Sequence, residues 1–495
     1  MTQPDVRATM QKLELLDLRK IKTIGELMDG MSRCAFSARR IGEATAQLDG
    51  WSRLPRPPMI VYDGPTKGPL FALLDTMVER GYAGIIMTTQ EYATDLRVPG
   101  GGKVIVVGPY MERFAEKLYE KAEEIIFLND QGQVRPGLIQ EGYFPNSVRC
   151  DPNLTMPMIY FALEERRFGA RHTLTEFIQY LEQARYPGTA REIVEARRTL
   201  HHAVHDSGTK LFLTMAGAMT IAKMQLLVCD LIDLKMVDYI SSTGALMAHG
   251  LIEGIGLSHY KHDPKHSDAL YAEQKINRVT DTLEPEENFT HIEEIVREVL
   301  NRFDGKTPIS PSIFHRAVGK YLAEHFPNNR AILKSAYEKA VPVACPAFTD
   351  SEIGNDEYVE SLRRQEDGRR RLLFDMKLDT QLLIDMATTC ERRAILSIGG
   401  GVPGNNTRNV APLIDIINNA LDRNLPHGRF QYGVKFDPTP PDWGNYSGCT
   451  KEEAKGWRKF ELDGEFVDVH IDATIGWPLV QGSVMEQLLD RPWRK

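Results

Sequence analysis

Cysteine is scarce in this 495-residue sequence: there are six, at positions 34, 150, 229, 345, 390 and 449. No two stand in C-x-x-C spacing, which excludes a disulfide scaffold and a zinc ribbon and points to reduced thiols in a cytoplasmic protein. An excess of positive charge is also missing. Sixty Lys and Arg against 68 Asp and Glu leave a net charge of −8 and a pI near 6.0. No overall basic field exists to hold nucleic acid or an anionic membrane surface, while a small cationic partner is compatible. Long apolar runs are absent as well. The most hydrophobic stretch, Leu211 to Ala222, stops at Lys223, short of the roughly 20 residues that a membrane span needs, and the first residues carry no apolar signal core. What is present is ordinary globular composition, with 42% hydrophobic, 8% aromatic and 26% charged residues. That length and composition suit one large α/β unit or two to three domains.

From Ile24 to Leu48, apolar residues including Leu27, Met28, Met31, Phe36 and Ile41 recur near helical spacing, with turns between. Trp51 to Pro58 reads as a linker. The chain then alternates: MIVYDG as strand, LFALLDTMVERG as helix, AGIIMTT and KVIVVG as strands, ERFAEKLYEKAEE as helix and EIIFLN as strand. Such alternation predicts a parallel sheet. A polar, turn-rich stretch over 130–150 precedes a helical pattern over 155–205. From Lys210 a second α/β pattern begins, with strands LFLTMAG and VDYISSTGA around the helix of MQLLVCDLIDL, followed by strands VPVACPAFTDS, RRAILSIGGG and FVDVHIDAT. Their carboxyl ends carry small or acidic residues, where open parallel sheets bind ligands.

Two segments carry candidate chemistry. Gly399-Gly400-Gly401-Val402-Pro403-Gly404 satisfies G-x-G-x-x-G between strand AILSI and helix APLIDIINNAL. It reads either as a pyrophosphate cradle or as a strand-to-helix turn that needs glycine dihedrals. In SGCTKEEAKGWRK, residues 447–459, a carboxylate, the Trp457 indole and Lys459 can converge on a polyamine ammonium. The same segment also reads as an exposed charged helix with a Thr450–Glu453 capping box. Histidines 201, 202 and 205, and 259, 262 and 266, form two groups without an H-E-x-x-H glutamate. Surface loops and helix faces account for both, and no metal site is expected. Cys229 and Cys345 sit in apolar runs and read as core thiols.

From Lys210 to about Leu489 the chain resembles the deoxyhypusine synthase family, in particular its bacterial branch that includes homospermidine synthases. The resemblance rests on FLTMAGAMTIAKM, MVDYISSTGALMAHGLIEGIG, INRVTDTLEPEENF, VPVACPAFTDSEIG, ILSIGGGVPGNN, PDWGNYSGCTKEEAKGWRKF and VHIDATIGWPLV. Residues 27–44, LMDGMSRCAFSARRIGEA, resemble the family's N-terminal segment. The resemblance implies an α/β fold, with a Rossmann-type parallel sheet flanked by helices and an inserted α/β plus helical unit. The segments would be 1–50 from the family core, 51–205 inserted and 206–495 the catalytic domain.

It further implies NAD as cofactor and transfer of a 4-aminobutyl group from spermidine or a related polyamine, held as an imine on Lys459, to an acceptor amine. Glu453, Trp457, His249 and Asn405 would bind the polyamine. Gly217, Ala218, Ser242, Thr243, Gly244, Asp350, Gly399, Gly400, Gly401, Asp472 and Ala473 would bind NAD. A homotetramer with shared active sites is implied too. Protein-modifying members have paired glutamates where Ala248 and His249 stand and a histidine where Asn405 stands; Gly250 replaces a usual aspartate and Arg458 a usual glycine. An arginine beside the nucleophile would either lower the lysine's pKa or repel a tricationic substrate. Three functions follow: a small-polyamine aminobutyl transferase, a deoxyhypusine synthase acting on a protein lysine, or a noncatalytic NAD-binding paralogue.

Overall fold

The computed structural model describes residues 5–88, 102–108, 124–129, 147–439 and 450–490. Helix ERFAEKLYEKAEE, all but its last residue, most of the turn-rich stretch 130–150, and the PDWGNYSGC part of its block with Cys449 lie outside the described residues.

The strands are β1 (Met59–Tyr62), β2 (Ile85–Thr88), β3 (Lys103–Val107), β4 (Glu124–Asn129), β5 (Ser147–Arg149), β6 (Thr209–Met215), β7 (Tyr239–Ser242), β8 (Tyr260–Lys261), β9 (Ile276–Val279), β10 (Thr282–Pro285), β11 (Val343–Ala344), β12 (Arg392–Ile398), β13 (Phe430–Phe436) and β14 (Phe460–Val469). They form three sheets. The first is parallel in the order β2-β1-β3-β4-β5. The second is parallel in the order β11-β7-β6-β12-β13-β14. A small antiparallel sheet, β8-β10-β9, stands apart. β6 and β12 are runs of consecutive buried residues, the pattern of strands covered by helices on both faces.

Helices Leu174–Gln183 and Thr189–His205 pack on Ala473–Asp490, and the second of them also covers β13 and β14. One contiguous apolar core includes Ile60, Ile105 and Ile126 of the first sheet and Leu213, Leu396 and Val434 of the second. The N-terminal helices Ile24–Met31 and Phe36–Ser52 are tied to distant parts of the chain. Arg39 Nη2 donates to Asp281 Oδ2 at 2.5 Å, the Phe36 N–H bonds the same carboxylate, and the Ala38 N–H bonds Thr474 Oγ1 at 3.1 Å.

Several elements differ from the expectations. VDYISSTGA is strand only to Ser242, because Gly244 opens the helix Gly244–Gly254. VPVACPAFTDS holds a two-residue strand: Pro342 and Pro346 bracket it, and proline supplies no donor to a ladder. Gly401 begins its own helix, Gly401–Arg408, ahead of Val410–Leu421. Strand β13 and the antiparallel sheet were not legible as strands in the sequence.

Candidate active site

The residues matched to cofactor positions lie just past the carboxyl ends of five strands of the second sheet. Gly217 and Ala218 follow β6, Ser242 ends β7 with Thr243 and Gly244 next, and Asp350 follows β11. Gly399 to Gly401 follow β12, and Asp472 and Ala473 follow β14. Gly217, Gly399 and Gly401 have φ of +77°, +72° and +70°, a region that costs an L residue strain and glycine none. Around Gly217 an added Cβ would meet nothing within 4 Å, so the turn is open on that side. The Ala216 N–H bonds the Ile398 carbonyl at 3.0 Å, which holds the β6 and β12 loops side by side.

Thr243 is the N-cap of Gly244–Gly254 and its side chain makes no capping hydrogen bond, which leaves the first amides of the helix without that partner. A Cβ on Gly244 would collide with the Ser351 side chain, whose hydroxyl caps the helix Glu352–Glu366. Asp472 has a structural duty: its Oδ1 accepts from the Thr474 N–H at 2.9 Å and the Thr474 hydroxyl at 2.8 Å.

The lysine segment is assembled by a short helix, Lys451–Gly456. Thr450 Oγ1 accepts from the Glu453 N–H at 3.2 Å. Among the described residues no bond returns from the Glu453 carboxylate to Thr450, so the capping box is half made and the carboxylate stays exposed. Arg458 follows with φ +55°, in the left-handed region. The Arg458 guanidinium is 71% exposed and lies 3.8 Å from Asp415. Lys459 is 8% exposed; its Nζ donates to Asn405 Oδ1 at 3.3 Å and sits 6.0 Å from the Trp457 ring centroid. Asn405 is four residues beyond Gly401 on Gly401–Arg408, about 6 Å along a helix axis. Lys459, Asn405 and Trp457 are thus brought together, beside the β12 glycine run.

His249 has buried partners of its own. On Gly244–Gly254 it joins His259 and Glu284 of β10, all three buried. His249 Nδ1 lies 2.7 Å and His259 Nε2 lies 3.3 Å from Glu284 Oε2, and the two ring nitrogens are 3.5 Å apart. His259 Nδ1 contacts Glu253 at 2.8 Å, and Glu253 is salt-bridged to the buried Lys223. Burial opposes charge on these groups, yet the contacts outweigh it. The two imidazoles hold the Glu284 carboxyl down at about 2, and Glu253 and Glu284 raise the His259 pKa above its usual value.

Glu253 and Glu284 were not singled out from the sequence, because their partners come from segments with no shared spacing. His262 and His266 pack instead against Tyr271, and His201 stacks on His205. Cys34, Cys229 and Cys345 are buried thiols, each pushed up to about 12 chiefly by burial.

The sequence model of deoxyhypusine synthase matches residues 177–484. The chain belongs to the deoxyhypusine synthase family. A probable deoxyhypusine synthase of Archaeoglobus fulgidus is 30% identical over 298 residues, 60% of this chain and 90% of that one. One from Methanosarcina mazei is 31% identical over 302 residues, 61% of this chain and 88% of that one. A deoxyhypusine synthase-like protein of Coxiella burnetii is 28% identical over 294 residues, 59% of this chain and 80% of that one. Deoxyhypusine synthases are transferases, and the matched span contains β6 to β14 with the loop cluster and Lys459. Among the described residues no helix is long and apolar enough to cross a membrane.

Proposed function

We propose that the protein is an NAD-dependent aminobutyl transferase of homospermidine-synthase type, which moves the butylamine unit of spermidine or a related polyamine to a small acceptor amine through Lys459. The observation that carries the reading is the Lys459 site: a buried amine held by a neutral amide, beside an indole and next to a glycine run. The strand order of the second sheet, taken in chain order, is 3-2-1-4-5-6, the order of doubly wound Rossmann-type sheets, whose switch point lies between the first and fourth strands. Here those are β6 and β12. The open turn at Gly217, the uncapped helix at Thr243 and the positive φ angles of Gly399 and Gly401 fit a pyrophosphate there.

Bound NAD supplies the acceptor and later the donor of a hydride. Lys459 Nζ adds to the carbon of the oxidised donor amine, diaminopropane leaves, and the butyl carbon remains on Nζ as an imine. Asn405 fixes the amine by one N–H without adding charge. The acceptor amine then displaces Lys459 from that carbon, and the new imine is reduced. Trp457 offers its ring face to an ammonium group and Glu453 a carboxylate. The indole is 62% exposed in the single chain, which suits active sites shared between subunits of a homotetramer. Ala248 and Asn405, in place of acidic and basic residues of protein-modifying members, favour a small acceptor over a protein lysine. The Arg458 guanidinium lies 3.8 Å from Asp415 and its side chain is 71% exposed, which supports a weak rather than a prohibitive repulsion of a cationic substrate.

The test is incubation of the full chain with NAD and spermidine, with and without putrescine, followed by mass spectrometry. Diaminopropane and homospermidine should form and be lost in Lys459→Ala. Diaminopropane only in the presence of a protein acceptor would replace this reading with a deoxyhypusine synthase. No turnover despite NAD binding would overturn transfer chemistry altogether.

A further inference from the structure

We infer that His249, His259 and Glu284 form a binding site for a divalent transition metal ion, with zinc the ion that its geometry suits. The three candidate ligand atoms form a triangle with edges of 2.7, 3.3 and 3.5 Å. A tetrahedral zinc with bonds of about 2.0–2.1 Å keeps neighbouring ligand atoms about 3.3 Å apart, so an ion just off the plane of this triangle reaches all three. Two imidazoles and one carboxylate are a common protein contribution to zinc, with water in the fourth position.

Two further observations point to an ion. The first is Glu284. Its side chain is 2% exposed, and among the described residues neither carboxylate oxygen has an aligned hydrogen-bond donor, although His249 Nδ1 lies 2.7 Å and His259 Nε2 3.3 Å from Oε2. The proximity is therefore not along a hydrogen-bonding direction. A buried carboxylate met at close range by imidazole nitrogens that do not point a hydrogen bond at it is poorly satisfied, whereas the other buried acids nearby have aligned donors: Asp281 from Arg39 and Phe36, and Glu253 from Lys223. The second is the outer contact of His259. Its Nδ1 is held by Glu253 at 2.8 Å, which leaves Nε2 aimed at the Glu284 carboxylate. A carboxylate on the far ring nitrogen is how proteins orient a metal-ligating histidine.

An ion here would pin the helix that begins at Thr243 to β10 and to the segment before β8. It would also engage His249 as a ligand, in place of direct polyamine contact. The approach is from the His249 side, since His249 is the partly exposed member at 10%, against 0% and 2% for His259 and Glu284.

The experiment uses the full chain, purified without a metal-affinity tag, with metal content read by elemental mass spectrometry. About one zinc per chain is expected, and Glu284→Gln and His249→Gln should each weaken zinc binding by about 100-fold or more, beyond the 10–100-fold typical of outer-sphere changes. Chelated protein titrated with cobalt(II) alone should develop the intense visible absorption of a tetrahedral site, a readout that needs no variant to fold. If the wild-type chain holds no stoichiometric metal, shows no cobalt band and melts at the same temperature with and without chelator, the cluster is a histidine–glutamate ion pair and the inference is overturned. Metal that survives both substitutions overturns it as well.

Discussion

Arg458 stands where the family usually has glycine, and its backbone explains the glycine. At φ +55° an L residue bears about 1–2 kcal/mol of strain. Arg458→Gly removes that strain but adds about 0.5–1 kcal/mol of unfolded-chain freedom. It also deletes an exposed ion pair, 3.8 Å from Asp415, worth about 0–1 kcal/mol. The contributions nearly cancel, so the glycine variant should stay within about 1 kcal/mol of the parent. Arg458→Ala keeps the strain and loses the pair, and should be the less stable of the two, the reverse of the usual order.

The catalytic consequence is separate. A guanidinium about 6 Å from a substrate ammonium would cost between about 0.7 kcal/mol in water and about 3 kcal/mol at an effective dielectric of 20. That corresponds to about 3-fold to 100-fold in KM. Because the side chain is 71% exposed and directed at Asp415, the spermidine KM should change by less than about 3-fold in either variant, near the bottom of that range. Thermal melting and steady-state diaminopropane release check both statements. A drop in KM of about ten-fold or more in Arg458→Gly, or an alanine variant more stable than the glycine one, would refute the reasoning.

Gly244→Ala should lower NAD affinity and cost about 1–3 kcal/mol of stability, since its Cβ has no room beside Ser351. Dye-monitored melting with and without NAD measures both effects. Asp281→Asn removes the negative charge from a buried ion pair with Arg39 and should destabilise by about 3–5 kcal/mol, read as early release of the N-terminal helices in hydrogen exchange. The Asp356 carboxyl is raised to about 6 by burial and by its neighbours Glu293 and Glu352. Folding therefore favours its protonated form, and the stability this gives at low pH is lost as pH rises towards 6. Asp356→Asn should stabilise at pH 7.5 by on the order of 1 kcal/mol after solvent screening, and melting curves below about pH 4 should show no gain.

Local pattern alone determined much of this protein. Runs such as LFLTM and AILSI are strands because a parallel sheet covered on both faces buries every one of those positions. The glycines at 399 and 401 announced a turn because only glycine sits easily at φ near +70°. The ordered motif blocks pointed to Lys459 and to the strand-end loops, since such motifs are local in sequence. Tertiary structure decided the rest. Whether Glu453 answers the Thr450 cap depended on a return bond that is absent among the described residues, and the neighbour of the Arg458 guanidinium, Asp415, comes from a distant helix. The partnership of His249 with His259 and Glu284 joins a helix, a loop and an antiparallel strand that no periodicity links. Side chains from separate elements meet only after the core has closed, so their chemistry is a property of the fold.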